Sequence, residues 1–217
     1  MIKAVIFDLD GLIIDCDLMN YSVYKGVLAK LGYDFKVFDY VQHYLGKPDM
    51  KIAELLIDKY YLPYEVKDFL KESFLVESKL LKEGVKLKKG VKELLKYLKD
   101  NNYKVALASL SSENRTRNIL KHHKIDTYFD CFTFGHEVAK GKPNPDIFKK
   151  TCEKLNENKD DCVILEDGEI GIEAACMAEI RVICIPGMKI PADKYLGRAI
   201  GVYESLDAII PFLEENR

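Results

Sequence analysis

The stretch Ile2-Lys3-Ala4-Val5-Ile6-Phe7-Asp8-Leu9-Asp10-Gly11 decides how the rest of the chain is read. Five of the six residues from Ile2 to Phe7 are apolar, and an apolar run this short, closed by a turn residue, reads as a buried strand. Two carboxylates one residue apart end it. Like charges so close repel, and burying either one unpaired is expensive. A strand that ends this way is arranged for chemistry more than for stability. A cation or a proton has to resolve the conflict, so the position calls for a metal, an acid–base role, or both.

Working outward, a helical pattern follows over about 17–31, and Gly32 is placed to stop it. The stretch 35–83 is rich in Lys, Glu, Tyr and Leu, with turn signals at Gly46-Lys47-Pro48-Asp49 and Pro63. It reads as several helices without a strand, with Asp49 positioned to cap the one running to about Tyr60. After Gly84 the rhythm alternates: helix 91–99, strand 104–108, helix 113–122, strand 131–134, helix 146–155, strand 161–165, helix 171–178, strand 181–185, a short strand near 199–202 and helix 206–214. Apolar strands alternating with helices build βαβ units and a parallel sheet. The expected fold is α/β: a Rossmann-like parallel sheet core from residues 1–14 and 84–217, with an inserted all-helical cap over 15–83.

The remaining bulk properties narrow the function classes. With 33 basic and 35 acidic residues among 217 and no basic block, nucleic acid is not an expected partner. No apolar run approaches the roughly 20 residues that span a bilayer, and the start lacks the pattern of a secretory signal, so the expectation is a cytoplasmic protein with no membrane partner. The six cysteines form no C-x-x-C pair and no zinc spacing with histidine; they read as reduced, buried thiols. Monomer and homodimer both stay open.

In an open parallel sheet, ligands bind beyond the carboxyl ends of the strands. There the sequence places Asp8 and Asp10 after the first strand and Ser109, followed by Ser111 and Ser112, after the second. Lys142 lies in the loop Lys140-Gly141-Lys142-Pro143-Asn144-Pro145-Asp146, and Glu166-Asp167-Gly168 follows the strand ending at Leu165. Acids from two strands suit a hard divalent cation, most simply Mg²⁺. The hydroxyl, backbone N–H groups and Lys142 suit phosphoryl oxygens. One carboxylate can serve as nucleophile and another can carry the proton.

Taken in order, Asp8-Leu9-Asp10-Gly11, Ser109, Lys142-Pro143 and Glu166-Asp167 resemble the four motifs of the haloacid dehalogenase superfamily, over essentially the whole chain. The segments 10–15 and 141–148 are most similar to its β-phosphoglucomutase-like phosphatase branch. The resemblance implies an enzyme, a phosphoric monoester hydrolase acting on a small phosphorylated metabolite such as a sugar phosphate. It implies Asp8 as the nucleophile that becomes an aspartyl-phosphate, Asp10 as acid and then base, Ser109 and Lys142 as phosphoryl-binding residues, and Mg²⁺ held by Asp8, the Asp10 backbone carbonyl, Asp167 and Glu166. In the cap it points to Asn20 and Lys47 as substrate-binding positions.

Several positions depart from the pattern. Asn20 stands where mutase relatives carry a histidine, the turn 46–49 lacks the arginine that grips a second phosphate, and Ser112 stands where the mutase has a lysine. These departures favour a phosphatase over a phosphosugar mutase, the alternative that shares the nucleophile; a non-catalytic phosphate-binding protein is the reading from another class. Gly168 replaces a usual serine, and its expected value is freedom for a tight turn. Plainer readings stand beside the sharp ones: Ser109 as a helix cap, Glu166 as an acid supporting the ligands without touching the metal, His122 and His123 as helix-end residues. His43 and His136 carry no nameable partner, and the tyrosines concentrated between Tyr21 and Tyr64 mostly pack between helices.

Overall fold

The computed structural model describes residues 1–216. The chain divides into two compact units, one formed by Met1–Asp15 and everything from Lys86 onward, the other by Cys16–Val85. The first unit is built on strands β1 (Ala4–Phe7), β2 (Lys104–Ser109), β3 (Cys131–Phe134), β4 (Cys162–Glu166), β5 (Arg181–Cys184) and β6 (Gly201–Val202). They form one sheet in the order β3-β2-β1-β4-β5-β6, parallel at each pairing. β1 is fully buried at the centre, which is why it reads as a continuous apolar run and not as an alternating one. Its register sets Phe7 beside Leu107 of β2 and Leu165 of β4, so the residues just past these three strands emerge at the same end.

The second unit consists of helices α1 (Cys16–Lys30), α2 (Val37–His43), α3 (Asp49–Tyr60) and α4 (Val66–Glu83). Gly32, at φ +83°, ends α1 as its sequence position implies. The core of this unit is aromatic: Tyr24 stacks on Phe69, and Phe35 meets Tyr44 edge to face. Asp49 does not cap α3. Pro48 is the capping residue and makes no side-chain bond; the Asp49 carboxylate instead accepts a hydrogen bond from the Tyr24 hydroxyl at 2.7 Å.

The first unit's helices are α5 (Val91–Asp100), α6 (Glu113–His122), α7 (Asp146–Leu155), α8 (Glu169–Met177), α9 (Asp193–Leu196) and α10 (Ile210–Glu215). α7 and α8 bury apolar stripes against the sheet. The expected helix over 206–214 is instead a 3₁₀ turn at Asp207–Ile209 followed by α10. Pro211, with no N–H to donate, sits in the first turn of α10, where none is required. β4 runs one residue further than the sequence suggests, because Glu166 pairs with Cys184 and its carbonyl accepts from Ile185. Of the cysteines, Cys152, Cys162 and Cys184 are buried, while Cys16, Cys131 and Cys176 are half-buried. His136 has a partner after all, its ring stacking on Phe134. Among the described residues no helix is long and apolar enough to cross a membrane.

Candidate active site

Six of the residues singled out from the sequence, Asp8, Asp10, Ser109, Lys142, Glu166 and Asp167, line one cleft of about 330 Å³ in the first unit, together with Leu110, Ser111, Gly168 and Ile170. Asp8 leaves β1 with its N–H donated to the Leu165 carbonyl at 3.1 Å, which extends the β1–β4 pairing by one step and fixes where the carboxylate emerges. Glu166 is the last residue of β4. Lys142 comes from the loop before α7 and bridges the two acids: its Nζ donates to Asp8 Oδ1 at 2.6 Å and to Glu166 Oε1 at 2.5 Å. The three side chains are nearly sealed from solvent, at 4% for Lys142, 10% for Asp8 and 4% for Glu166. The Lys142 ammonium also lies 4.8 Å from the centre of the Phe148 ring, a further favourable contact for a desolvated cation.

Two glycines make room for these carboxylates. Gly11, at φ +86°, has the Asp167 carboxylate packed over its α-carbon; a Cβ there would lie 1.9 Å from Asp167 Oδ2. A Cβ on Gly171 would lie 1.9 Å from Glu166 Oε1, so the Glu166 side chain rests on the first turn of α8, where the helix dipole favours a negative charge. Gly168 has neither role. At φ −123° its backbone is extended, a conformation any residue adopts, and a Cβ would meet nothing.

The electrostatics are those of a charge-rich cluster in a dry place. Burial raises the Asp8 carboxyl to about 7, with Glu166 and Asp10 adding to the rise and Lys142 opposing it. For Lys142 burial alone would lower the ammonium, but Asp8 and Glu166 outweigh it and the net shift is upward, so the lysine stays charged. Oxygens of Asp8, Glu166 and Asp167 lie within 4.8 Å of one another. Three carboxylates face one ammonium, which leaves two negative charges for a divalent cation to balance. The donors are all oxygens, and that set suits a hard ion.

Ser109 ends β2, buried, and its Oγ accepts from the Ser111 N–H at 3.1 Å. It does not cap α6; Ser112 does, accepting from the Arg115 N–H. Leu110 leans onto Gly135 and Gly141, where a Cβ would come within 3.3 and 3.0 Å of it, so this exposed leucine packs against the loop that carries Lys142. Asp10 turns to the start of α6: Ser111 Oγ donates to its Oδ2, and Arg115 Nη1 donates to its Oδ1 at 2.8 Å. Sequence reasoning missed Arg115. No motif points to it; the nearest signal was its place in the first turn of the helix that follows Ser109-Leu110-Ser111-Ser112.

Asn20 and Lys47 belong to the second unit. Lys47 is exposed in the turn before α3. Asn20 lines a cavity of about 380 Å³ with Tyr24, Asp49, Ser73 and Glu77.

Comparison with known proteins bears on this geometry. Residues 5–185 match the family described as haloacid dehalogenase-like hydrolase. The chain belongs to the haloacid dehalogenase-like hydrolases. Within that family it is 29% identical over 181 residues to the phosphorylated carbohydrates phosphatase of Thermotoga maritima, covering 83% of each chain. It is 30% identical over 223 residues to the β-phosphoglucomutase of Bacillus subtilis, covering 99% of this chain and 95% of that one. The crystal structure of a putative beta-phosphoglucomutase from Thermotoga maritima superposes with a TM-score of 0.86 at 26% identity, covering 99% of both. The chain is a hydrolase of phosphate monoesters within this family.

Proposed function

We propose that the chain is a Mg²⁺-dependent phosphatase that hydrolyses a small phosphorylated metabolite, a sugar phosphate or a compound of similar size, through an aspartyl-phosphate on Asp8. The observation that carries this reading is the Lys142 ammonium held between Asp8 and Glu166, beside Asp167 and in one cleft with Ser109.

In the first step an oxygen of Asp8 attacks phosphorus. The ester P–O bond breaks, and the departing oxygen takes a proton from Asp10. In the second step Asp10, now ionised, takes a proton from water as that water attacks phosphorus; the bond to Asp8 breaks and inorganic phosphate leaves. Ser109 and Lys142 hold phosphoryl oxygens and place phosphorus in line with Asp8, the positioning that dominates phosphoryl transfer. Mg²⁺, held by Asp8, Asp167, Glu166 and the Asp10 backbone carbonyl, would supply charge neutralisation at the phosphoryl group. The seal around Lys142 keeps water away from the acids, so its charge acts at full strength.

The test is phosphate release from a panel of sugar and nucleotide monophosphates, with Mg²⁺ and with a chelator. Release that needs Mg²⁺ and disappears in Asp8→Asn supports the reading; an Asp8→Asn enzyme with normal turnover sinks the mechanism. A phosphosugar mutase is the second reading, favoured by the end-to-end likeness to the Bacillus subtilis enzyme. Against it, the cavity beside Asn20 is lined by the carboxylates Asp49 and Glu77, poor company for a second phosphate. Conversion of β-glucose 1-phosphate to glucose 6-phosphate with a bisphosphate primer would decide for the mutase.

A further inference from the structure

We propose that Arg115 is a positioning residue that works through Asp10, holding the proton-transferring carboxylate in the orientation the reaction uses. The inference rests on the reading of Asp10 as proton donor and acceptor given above. Both oxygens of Asp10 are engaged at the start of α6: Oδ2 accepts from Ser111 Oγ, and Oδ1 accepts from Arg115 Nη1 at 2.8 Å. The same Nη1 lies 2.9 Å from Ser111 Oγ, so guanidinium, hydroxyl and carboxylate form a closed triangle. Arg115 lies in the first turn of α6, Ser111 just before the cap, and that helix start is itself fixed by Ser112.

The need for such a clamp follows from where Asp10 sits. Asp8 is anchored by strand pairing and a buried lysine. Asp10 lies two residues further on, its side chain 31% exposed, and a carboxylate there is free to rotate unless something holds it. Proton transfer requires the donor within about 2.6–3.2 Å of its target, so a rotated Asp10 is out of reach. The Arg115 side chain is only 20% exposed, which limits screening of the pair, and a planar guanidinium fixes direction as well as charge. Ser109 lies at the end of β2, just before α6. The turn from β2 into α6 thereby carries both the phosphoryl-binding hydroxyl and the groups that orient the proton carrier. Arg115 is not among the residues lining the cleft, so its effect passes through Asp10.

A double-mutant cycle tests this. Arg115→Met should lower kcat about 10- to 100-fold, the range found for residues that orient a functional group from behind. KM and inhibition by inorganic phosphate should stay within about threefold, and Arg115→Lys should recover part of the loss. In an Asp10→Asn background, Arg115→Met should change kcat by less than about twofold, because nothing remains for it to orient. An equal loss in both backgrounds, a raised KM with unchanged kcat, or full activity of Arg115→Met would each overturn the proposal. Failure of the underlying reading looks different: the wild type would release no phosphate, or Asp10→Asn would turn over normally. The clamp would then be judged by the crystal structure of Arg115→Met, where a displaced Asp10 carboxylate supports it and an unmoved one overturns it.

Discussion

β1 and β4 lie side by side, and an ion pair ties them at each end. At the amino end Lys3, just before β1, meets Asp161, just before β4, at 2.7 Å, with the side chains 51% and 20% exposed. At the carboxyl end Lys142 joins Asp8 and Glu166 at nearly the same distances, but in almost complete burial. The chemistry is alike and the surroundings are opposite. An exposed pair is screened by water and contributes little. A buried one gives up hydration that its own attraction barely restores, and apolar residues of similar size often do better. A fold selected for stability alone has no use for the carboxyl-end arrangement. The contrast marks that end as the working one.

The largest effect should come from removing the nucleophile proposed above. Asp8→Asn is expected to lower turnover by about 10⁴-fold or more, the scale seen when a covalent nucleophile is lost. The same change deletes a buried charge while keeping an oxygen for Lys142, so without Mg²⁺ its thermal stability should equal or exceed the wild type's. A lower Tm alongside the lost activity would mean that the carboxyl-end charge serves the fold, and the contrast between the two ends would collapse.

Lys142→Met comes next. It should reduce turnover by about 10²–10³-fold, the loss typical of a preorganised charge that stabilises the transition state. It should also lower stability by about 3–5 kcal/mol, because Asp8 and Glu166 would be left buried without their cation. Chemical denaturation with and without Mg²⁺ measures both consequences; Mg²⁺ should return part of the lost stability. No loss of stability would mean that the acids take up protons or water once the lysine is gone, so that no buried charge is left unpaired.

A pH experiment sharpens the same point. The folded Asp8 carboxyl is raised to about 7, above its unfolded value near 3.9. Between those limits the folded state binds the extra proton, so the contribution is fully present below about pH 4 and is lost as pH rises through about 7. In chelator, wild type should lose stability relative to Asp8→Asn as pH goes from 5 to 8. Saturating Mg²⁺ should remove the difference, since a bound cation favours the ionised form. The readout is the difference in Tm between the two proteins across that range, which cancels the titration of groups remote from the cluster.

The unequal legibility of the two units has a physical reason. β1 was readable because a buried parallel strand must be continuously apolar, and its two terminal acids break that rule in a way only chemistry explains. Ser109, Lys142 and Asp167 followed, since topology brings strand ends together whatever loops intervene. Arg115 was not readable: its contact with Asp10 depends on where the first turn of α6 begins, which the Ser112 cap sets, and an arginine on a helix face is usually solvated. Asp49 misled because a carboxylate beside a helix start resembles a cap, whereas the Tyr24 hydroxyl bids for it more strongly. In the second unit the sequence advertises packing, and the Tyr24, Phe35, Tyr40 and Phe69 cluster supplies it. Nothing comparable to a strand end focuses its polar residues, so Asn20 and Lys47 rest on resemblance alone.

The smallest effect belongs to the amino end, and it is the control that gives the others meaning. Lys3→Ala removes a pair that connects the same two strands, at nearly the same distance, as the pair at the working end. Because water already solvates the lysine, the expected change in Tm is about 2 °C or less, and turnover should match the wild type within error. Whatever shift appears should fade in 1 M salt, where the Debye length falls to about 3 Å, while the loss in Lys142→Met should persist there because salt does not reach the buried cluster. Thermal melts of both variants at low and high salt, run beside a phosphate-release assay, make the comparison directly. A tenfold fall in turnover for Lys3→Ala would show that tension across β1 and β4 reaches the acids at their far ends, and burial would no longer separate the two sites.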